Sequence, residues 1–249
     1  MVVHVQEGLL TPHGASPGAA ERVLIATAVP VERDAVAAAL PAGSLLDVVA
    51  LGVGPGAAAA GTATALARAE AAGRPYGLVV SAGIGGGFPP DAPVGSLVVA
   101  DAVTAADLGA ETPEGFRPVT ELGFGAVTHR PPPSLVRELA DACGAATGAV
   151  LTVSTVTGSA ERAAELRLRH PGALAEAMEG FGVAEAAVLH GVPVAEVRAV
   201  SNPVGPRDRA AWRIGDALAA LGGAFGKFTP VLESWNTHDS HDPRERRRA

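Results

Sequence analysis

One cysteine, Cys143, in 249 residues excludes a disulfide framework and points to a reducing compartment, the cytoplasm. Basic residues are also scarce: 19 Lys and Arg stand against 26 Asp and Glu, a net charge of −7. A nucleic-acid partner leaves a basic footprint, so none is expected. No apolar run approaches the ~20 residues that cross a bilayer; the best, such as Tyr76 to Ala82, stop after a few, so no membrane partner is expected either. Residues 1–20 have no basic stretch leading into an apolar one and do not read as a signal peptide. Aromatic residues make up only 4%, yet 48% of the chain is hydrophobic, which excludes disorder and suffices for a core without metal or disulfide staples. The 31 glycines and 20 prolines have no period, which excludes a collagen-like chain.

What is present is an alternation of short apolar runs with helical patterns. Strands are predicted at 22–28, 47–51, 76–82, 94–101, 148–156 and 194–201. Helices are predicted from Gly56 to about Ala72, over 134–142 and 159–168, over 174–189 with an irregular start at Gly180 and Gly182, and over 209–221. The stretch after Asp101 reads as a long Gly/Pro-rich loop. Strands that are apolar on both faces belong in a sheet covered on both sides, so the predicted fold is an α/β three-layer sandwich with a mixed central sheet. The domain is placed at residues 21–232, between a flexible extension (1–20) and a flexible polar tail (233–249). The arginines of that tail, Arg244 and Arg246 to Arg248, read as a solvated run.

In such sheets ligands bind beyond the carboxyl ends of the strands. Two strands run into glycines there, Gly52/Gly54/Gly56 and Gly83/Gly85/Gly86/Gly87. Gly83-Ile-Gly85 opens like a dinucleotide fingerprint, but Phe88 stands where the third glycine belongs, and prolines follow instead of a helix. Glu32 lies just past the first strand, Arg198 interrupts the last one, and Asn202 closes it. Glu179, after Met178, is placed in a helix among small and apolar neighbours. A charge in apolar surroundings needs a partner, so either Glu179 and Arg198 pair with each other or with exposed neighbours, or they hold a polar ligand. For Glu32 the alternatives are a solvated first-turn helix residue and a working carboxylate.

The strings Thr27-Ala-Val-Pro-Val-Glu32, Gly52-Val53-Gly54, Ser81-Ala-Gly-Ile-Gly85-Gly86-Gly87, Met178-Glu179 and Arg198-Ala-Val-Ser201-Asn202 resemble the nucleoside phosphorylase and nucleosidase superfamily, in order and spacing, over about residues 21–225. Within it the chain is most similar to the bacterial futalosine hydrolases, relatives of the methylthioadenosine/S-adenosylhomocysteine nucleosidases. The segment Ser201-Asn-Pro-Val-Gly-Pro-Arg-Asp208, with Trp212 beyond it, is among the most specific parts of that likeness.

The resemblance implies cleavage of the N-glycosidic bond of a purine nucleoside through an oxocarbenium-like sugar. Glu32 matches the carboxylate that activates the attacking water. Arg198 matches a residue that holds the water and the acid, and Met178 with Glu179 match the clamp on the ribose hydroxyls. Thr155 and Val156 match a segment whose backbone lines the purine, although an ordinary strand end is the alternative. Val53, Gly85 and Gly86 pack around the sugar. Adenine-cleaving relatives carry an aspartate where this chain has Asn202. An amide is no acid, but its NH₂ can donate to O6 of a 6-oxopurine while its carbonyl accepts from a protonated N7. Hypoxanthine is therefore the expected leaving base. The proton for N7 would come from solvent or from Asp208, a residue read first as structural.

Phosphorylases of this superfamily set arginines beside the glycine loops; here Val80-Ser81 stands at the approach to Gly83 and only Arg33 lies near the first loop, which favours water over phosphate. The substrate of the resembled branch has a carboxylated aromatic arm on its 5′ side, for which Arg207, Arg209, Trp212 and the stretch 116–129 are candidates. A phosphorylase, and a purine-sensing module without chemistry, are the alternatives. The family's usual assembly is a homodimer or larger homo-oligomer. The seven histidines have no metal-binding spacing, and no metal or cofactor is expected. Asn202→Asp is expected to move preference from 6-oxo toward 6-amino purines; unchanged selectivity between futalosine and its 6-amino analogue would refute this reading of Asn202.

Overall fold

The computed structural model describes residues 22–235. The expected extension over 1–20 and the tail from residue 236 onward lie outside the described residues. The described residues fold into ten strands and six α-helices, and the central sheet is mixed. β1 (Arg22–Thr27) pairs in parallel with β2 (Leu46–Ala50) on one side and β3 (Tyr76–Gly87) on the other. β3 pairs in parallel with β10 (Val194–Pro203), and β10 runs antiparallel to β4 (Leu97–Ala105). β4 pairs in parallel with β8 (Ala146–Thr152), and β8 likewise with β9 (Ala173–Ala177). The last two residues of β3 return to β9 in antiparallel register, Gly86 opposite Glu176 and Gly87 opposite Ala175, so the sheet closes on itself at this end.

Apolar residues on successive positions of the inner strands split between two cores, the geometry expected of alternating side chains under two helical layers. Val23 and Ile25 of β1, with Leu78 and Val80 of β3 and Val197 of β10, pack against α1 (Pro30–Ala37), α3 (Pro133–Cys143) and α6 (Ile214–Ser234). Leu24 and Ala26, with Val79, Val98 and Val200, pack against α2 (Pro55–Ala71) and α5 (Gly180–Leu189). α4 (Ala160–Arg169) contributes Leu166 to a third, smaller core with Phe88 and Leu151. Among the described residues no helix is long and apolar enough to cross a membrane.

The three-layer sandwich with a mixed sheet is thus the observed architecture, but five local expectations are corrected. The glycine run 83–87 is strand and not loop: β3 continues through it, paired with β10 to its end. Residues 174–177, expected as the start of a helix, belong to β9; Ala, Leu and Glu favour helix, but a place between β8 and β3 in a closed sheet overrides propensity. The stretch after β4 is not mere loop, since β5 (Gly109–Thr112) and β6 (Gly115–Pro118) form a hairpin and β7 (Thr128–His129) pairs with β4. Residues 209–211 form a short 3₁₀ turn, and α6 begins only at Ile214. The same helix runs on to Ser234, past the expected domain end at residue 232.

α5 and α2 meet so closely that a β-carbon on Gly182 would collide with the carbonyl of Pro55. Gly182→Ala is therefore expected to cost about 1–3 kcal/mol through overpacking. In a thermal melt the midpoint should fall by several degrees; a melt indistinguishable from the parent's would contradict the close approach.

Candidate active site

β1 ends at Thr27, and the chain turns through Ala28 and Val29 into α1, whose third residue is Glu32. Glu32 is not a solvated helix residue: it is 4% exposed, and its carboxylate is held by backbone alone. Oε2 accepts from the N–H groups of Ala28 (3.0 Å) and Val29 (3.3 Å), and Oε1 from the N–H of Ile84 on β3 (3.0 Å). A carboxylate offers about four lone-pair sites. The free one lies on Oε1, the oxygen that borders Gly83: a β-carbon there would sit 2.7 Å from Glu32 Oε1 and 2.6 Å from Arg198 Nη1.

Arg198 stands opposite Gly83 in the β3–β10 ladder and is 1% exposed. Its Nη2 donates to Ser81 Oγ (2.9 Å), its Nε to Glu196 Oε1 (2.8 Å) and its Nη1 to Glu179 Oε2 at a long 3.4 Å. Burial works against the Arg198 charge, but Glu196, then Glu179 and Glu32, more than offset it and hold its pKa above that of a free arginine. Glu179 is not inside a helix, as expected, but at the junction between β9 and α5, where it is the N-terminal cap position. Its Oε1 accepts from the N–H of Gly54 (3.2 Å) and its Oε2 from the N–H of Met178 (3.3 Å). Pairing of Glu179 with Arg198 is therefore real. It is loose, and it leaves the Glu179 carboxylate facing the turn at Gly54.

Three residues farther along β3, Gly86 stands opposite Asn202 on β10, about 10 Å from Gly83 at the usual strand rise. A β-carbon on Gly86 would lie 3.3 Å from Asn202 Nδ2, so the amide rests on bare backbone. Asn202 Nδ2 donates to the Pro203 carbonyl (3.0 Å) and keeps its second N–H free; Oδ1 accepts from Ser201 Oγ (2.9 Å) and keeps a lone pair. Ser201 is buried, with its hydroxyl also 3.2 Å from the Gly85 carbonyl.

The remaining expected residues fall on the surrounding rim. Val53 is exposed on the turn before α2, and Thr155 and Val156 are exposed between β8 and α4. That second loop is tied down next to them, where the N–H (2.8 Å) and hydroxyl of Thr157 both donate to Glu176. Burial pushes the Glu176 carboxyl up, and the Thr157 bonds oppose it. Asp208 is exposed and caps the 3₁₀ turn by accepting from the N–H of Ala210 (3.1 Å), a structural task. Trp212 is half-buried, with the guanidinium groups of Arg207 and Arg209 at 5.4 and 5.8 Å from its ring. The loop carrying all three is closed by the N–H of Arg213 donating to the Ser201 carbonyl (2.8 Å), which roots it beside Asn202.

Two kinds of participant escape the sequence reading. The backbone donors at Ala28, Gly54 and Ile84 leave no trace in residue type, since every residue but proline supplies an N–H. Glu196 did leave one. It lies two residues before Arg198 on a strand, hence on the same face, and two opposite charges so placed in an apolar strand must meet. No group of His, Cys, Asp and Glu among the described residues is arranged to hold a metal ion.

The Phosphorylase superfamily model matches residues 14–227. The futalosine hydrolase of Streptomyces coelicolor is 69% identical over 87% of this chain and 99% of its own length, and that of Acidothermus cellulolyticus is 48% identical over 81% and 88%. The structure of S-adenosylhomocysteine nucleosidase from Streptococcus pyogenes, in complex with 5-methylthiotubericidin, superposes with a TM-score of 0.74 at 18% identity, covering 89% of this chain and 100% of that one. That likeness is one of fold.

Gly83→Ala would drive a methyl group between Glu32 and Arg198. A displacement of reacting groups by about 1 Å costs on the order of 10²-fold in rate. Nucleoside turnover by this variant is expected to fall by that much with the fold retained by circular dichroism; undiminished turnover would remove the Gly83 gap from the site.

Proposed function

The chain belongs to the phosphorylase superfamily, and we infer that its task within it is the hydrolysis of futalosine. It cleaves the N-glycosidic bond, releasing hypoxanthine and dehypoxanthine futalosine, a step of menaquinone biosynthesis. The observation that carries the division of labour is the meeting of Glu32, Arg198 and Glu179 around Gly83, with Asn202 three residues along the same ladder.

In this reading the sugar lies over Gly83 to Gly85 and the base over Gly86. Glu179 accepts hydrogen bonds from the ribose hydroxyls beside Met178. Water sits at the open lone pair of Glu32 Oε1, and Arg198 Nη1 lines the same gap. As the bond from C1′ to the base nitrogen breaks, its electron pair leaves with the purine. The water oxygen attacks C1′, and its proton passes to Glu32, a transfer worth about 10²- to 10⁴-fold. Asn202 supplies its free N–H to O6 and its carbonyl to a protonated N7. The N7 proton is assigned to solvent, since Asp208 is occupied as a cap. Thr155 and Val156 line the base from the neighbouring loop, and Val53 the sugar.

Water, rather than phosphate, is favoured by the arginines. Arg33 pairs with Asp34 on the exposed side of α1 (2.7 Å), and Arg198 is taken up by Glu196, Ser81 and Glu179. Assembly as a homodimer or larger homo-oligomer is supported by exposed Leu108, just before the β5–β6 hairpin, and exposed Leu122 and Phe124, just after it. Action in the cytoplasm is supported by the single cysteine.

Hypoxanthine release from futalosine should proceed equally with and without phosphate, and a phosphate requirement would overturn the hydrolytic reading. In the same assay Glu32→Gln should bind nucleoside and lose about 10²- to 10⁴-fold in kcat. A kcat within twofold of the parent's would remove Glu32 from the water-activating role.

A further inference from the structure

Glu196 takes no part in the steps above, yet it is among the most completely buried charged groups in the described chain, at 0% exposure. Its Oε1 accepts from Arg198 Nε, and its Oε2 has no hydrogen-bond partner among the described residues. Space for it is made by Gly180 at the start of α5, where a β-carbon would collide with both carboxylate oxygens. A buried carboxylate with one oxygen unpaired is costly, and an amide or a leucine would fill the volume more cheaply.

The contacts of Arg198 suggest what the carboxylate does. Three acids surround one buried guanidinium, but unequally. Glu196 is bonded at 2.8 Å, Glu179 is held off at 3.4 Å, and Glu32 shares the gap at Gly83 without a hydrogen bond to the arginine. Without Glu196 the anions left, among the described residues, to neutralise the guanidinium are Glu179 and Glu32, the two carboxylates that the sugar and the water need. We propose that Glu196 is a dedicated counter-ion, a positioning residue that holds Arg198 back so that Glu179 and Glu32 stay open to substrate. This rests on the assignment of those two groups under the proposed function.

The titratable groups facing the guanidinium are Glu196 from β10, Glu179 from the start of α5 and Glu32 from α1; Ser81 of β3 is its neutral neighbour, and Gly180 covers Glu196. Burial pushes the Glu196 carboxyl up, Arg198 pulls it down, and Glu179 adds to the rise. Removing the Glu196 charge leaves Arg198 to turn toward Glu179, whose carboxylate already lies 3.4 Å from Nη1. The arginine then competes with ribose for Glu179, and KM rises.

The test is hypoxanthine release from futalosine by the full chain, with KM and kcat measured for the parent, Glu196→Gln and Glu196→Asp. Glu196→Gln keeps shape and an acceptor for Nε but drops the charge. Its KM is expected to rise about tenfold, as for loss of one charge-assisted bond. Glu196→Asp keeps the charge at shorter reach and is expected to restore most of that loss. A Gln variant with the parent's KM, whatever its melting temperature, overturns the proposal, because a Glu196 that is neutral or merely packs would be replaced silently. An equal rise of KM in both variants also overturns it, and, should the Gln variant not fold, a rise of about tenfold in the Asp variant does the same. A parent that releases no hypoxanthine from futalosine would instead sink the functional reading on which the proposal stands.

Discussion

A guanidinium enclosed in protein is the constraint around which this site is organised. Arg198 reaches no solvent, so its charge must be answered by side chains brought from three separate elements: α1, the start of α5 and β10 itself. Each of those elements is placed by a different part of the core, α1 by the cluster it shares with α6 and α5 by the cluster it shares with α2. The two hydrophobic layers therefore meet chemically at one arginine. The proposed hydrolysis asks for carboxylates that are fixed and yet uncommitted, and the unequal distances around Arg198 let one cation face several anions without pairing fully with each.

Backbone does much of what side chains do elsewhere. Glu32 is oriented wholly by main-chain N–H groups, and Glu179 by those of Gly54 and Met178 as well as by Arg198. Gly83, Gly86 and Gly180 act by having no side chain, at places where Glu32, Asn202 and Glu196 come within touching distance of the strand or helix. Because Gly83 and Gly86 lie on one strand, β3, paired with Arg198 and Asn202 of β10 across a ladder with one bulge between Val200 and Asn202, the spacing between Arg198 and Asn202 is set by strand pairing, not by loop conformation.

That division explains what could be read from the sequence. The inner strands β1 and β10 were legible because both faces are covered and the residues are almost all apolar. Glu32, Glu179, Arg198 and Asn202 were legible because charged or amide groups next to such strands have few other reasons to be there, and the family resemblance gave them roles. β9 was not, because Ala-Leu-Ala-Glu-Ala carries helix-forming residues and only its neighbours make it a strand. Nor was the glycine run, since a stretch without side chains shows no alternation, and its place in β3 follows from pairing with β10 and β9. Glu196 is legible only together with Arg198, two residues on along the same face of the strand.

β10 is bonded on one side to β3 and on the other to β4, and β3 in turn is flanked by β1, β10 and, at its tip, β9. Neither of these two strands has a loose margin there, and the exposed side chains around them lie on the turn at Val53 and the loops 154–158 and 204–213. The molecule in effect has a fully bonded floor and a rim of loops. Drift in the rim can retune which 5′ appendage is welcomed while bond cleavage below is left untouched, a separation that makes new substrates accessible to this scaffold through surface loops alone.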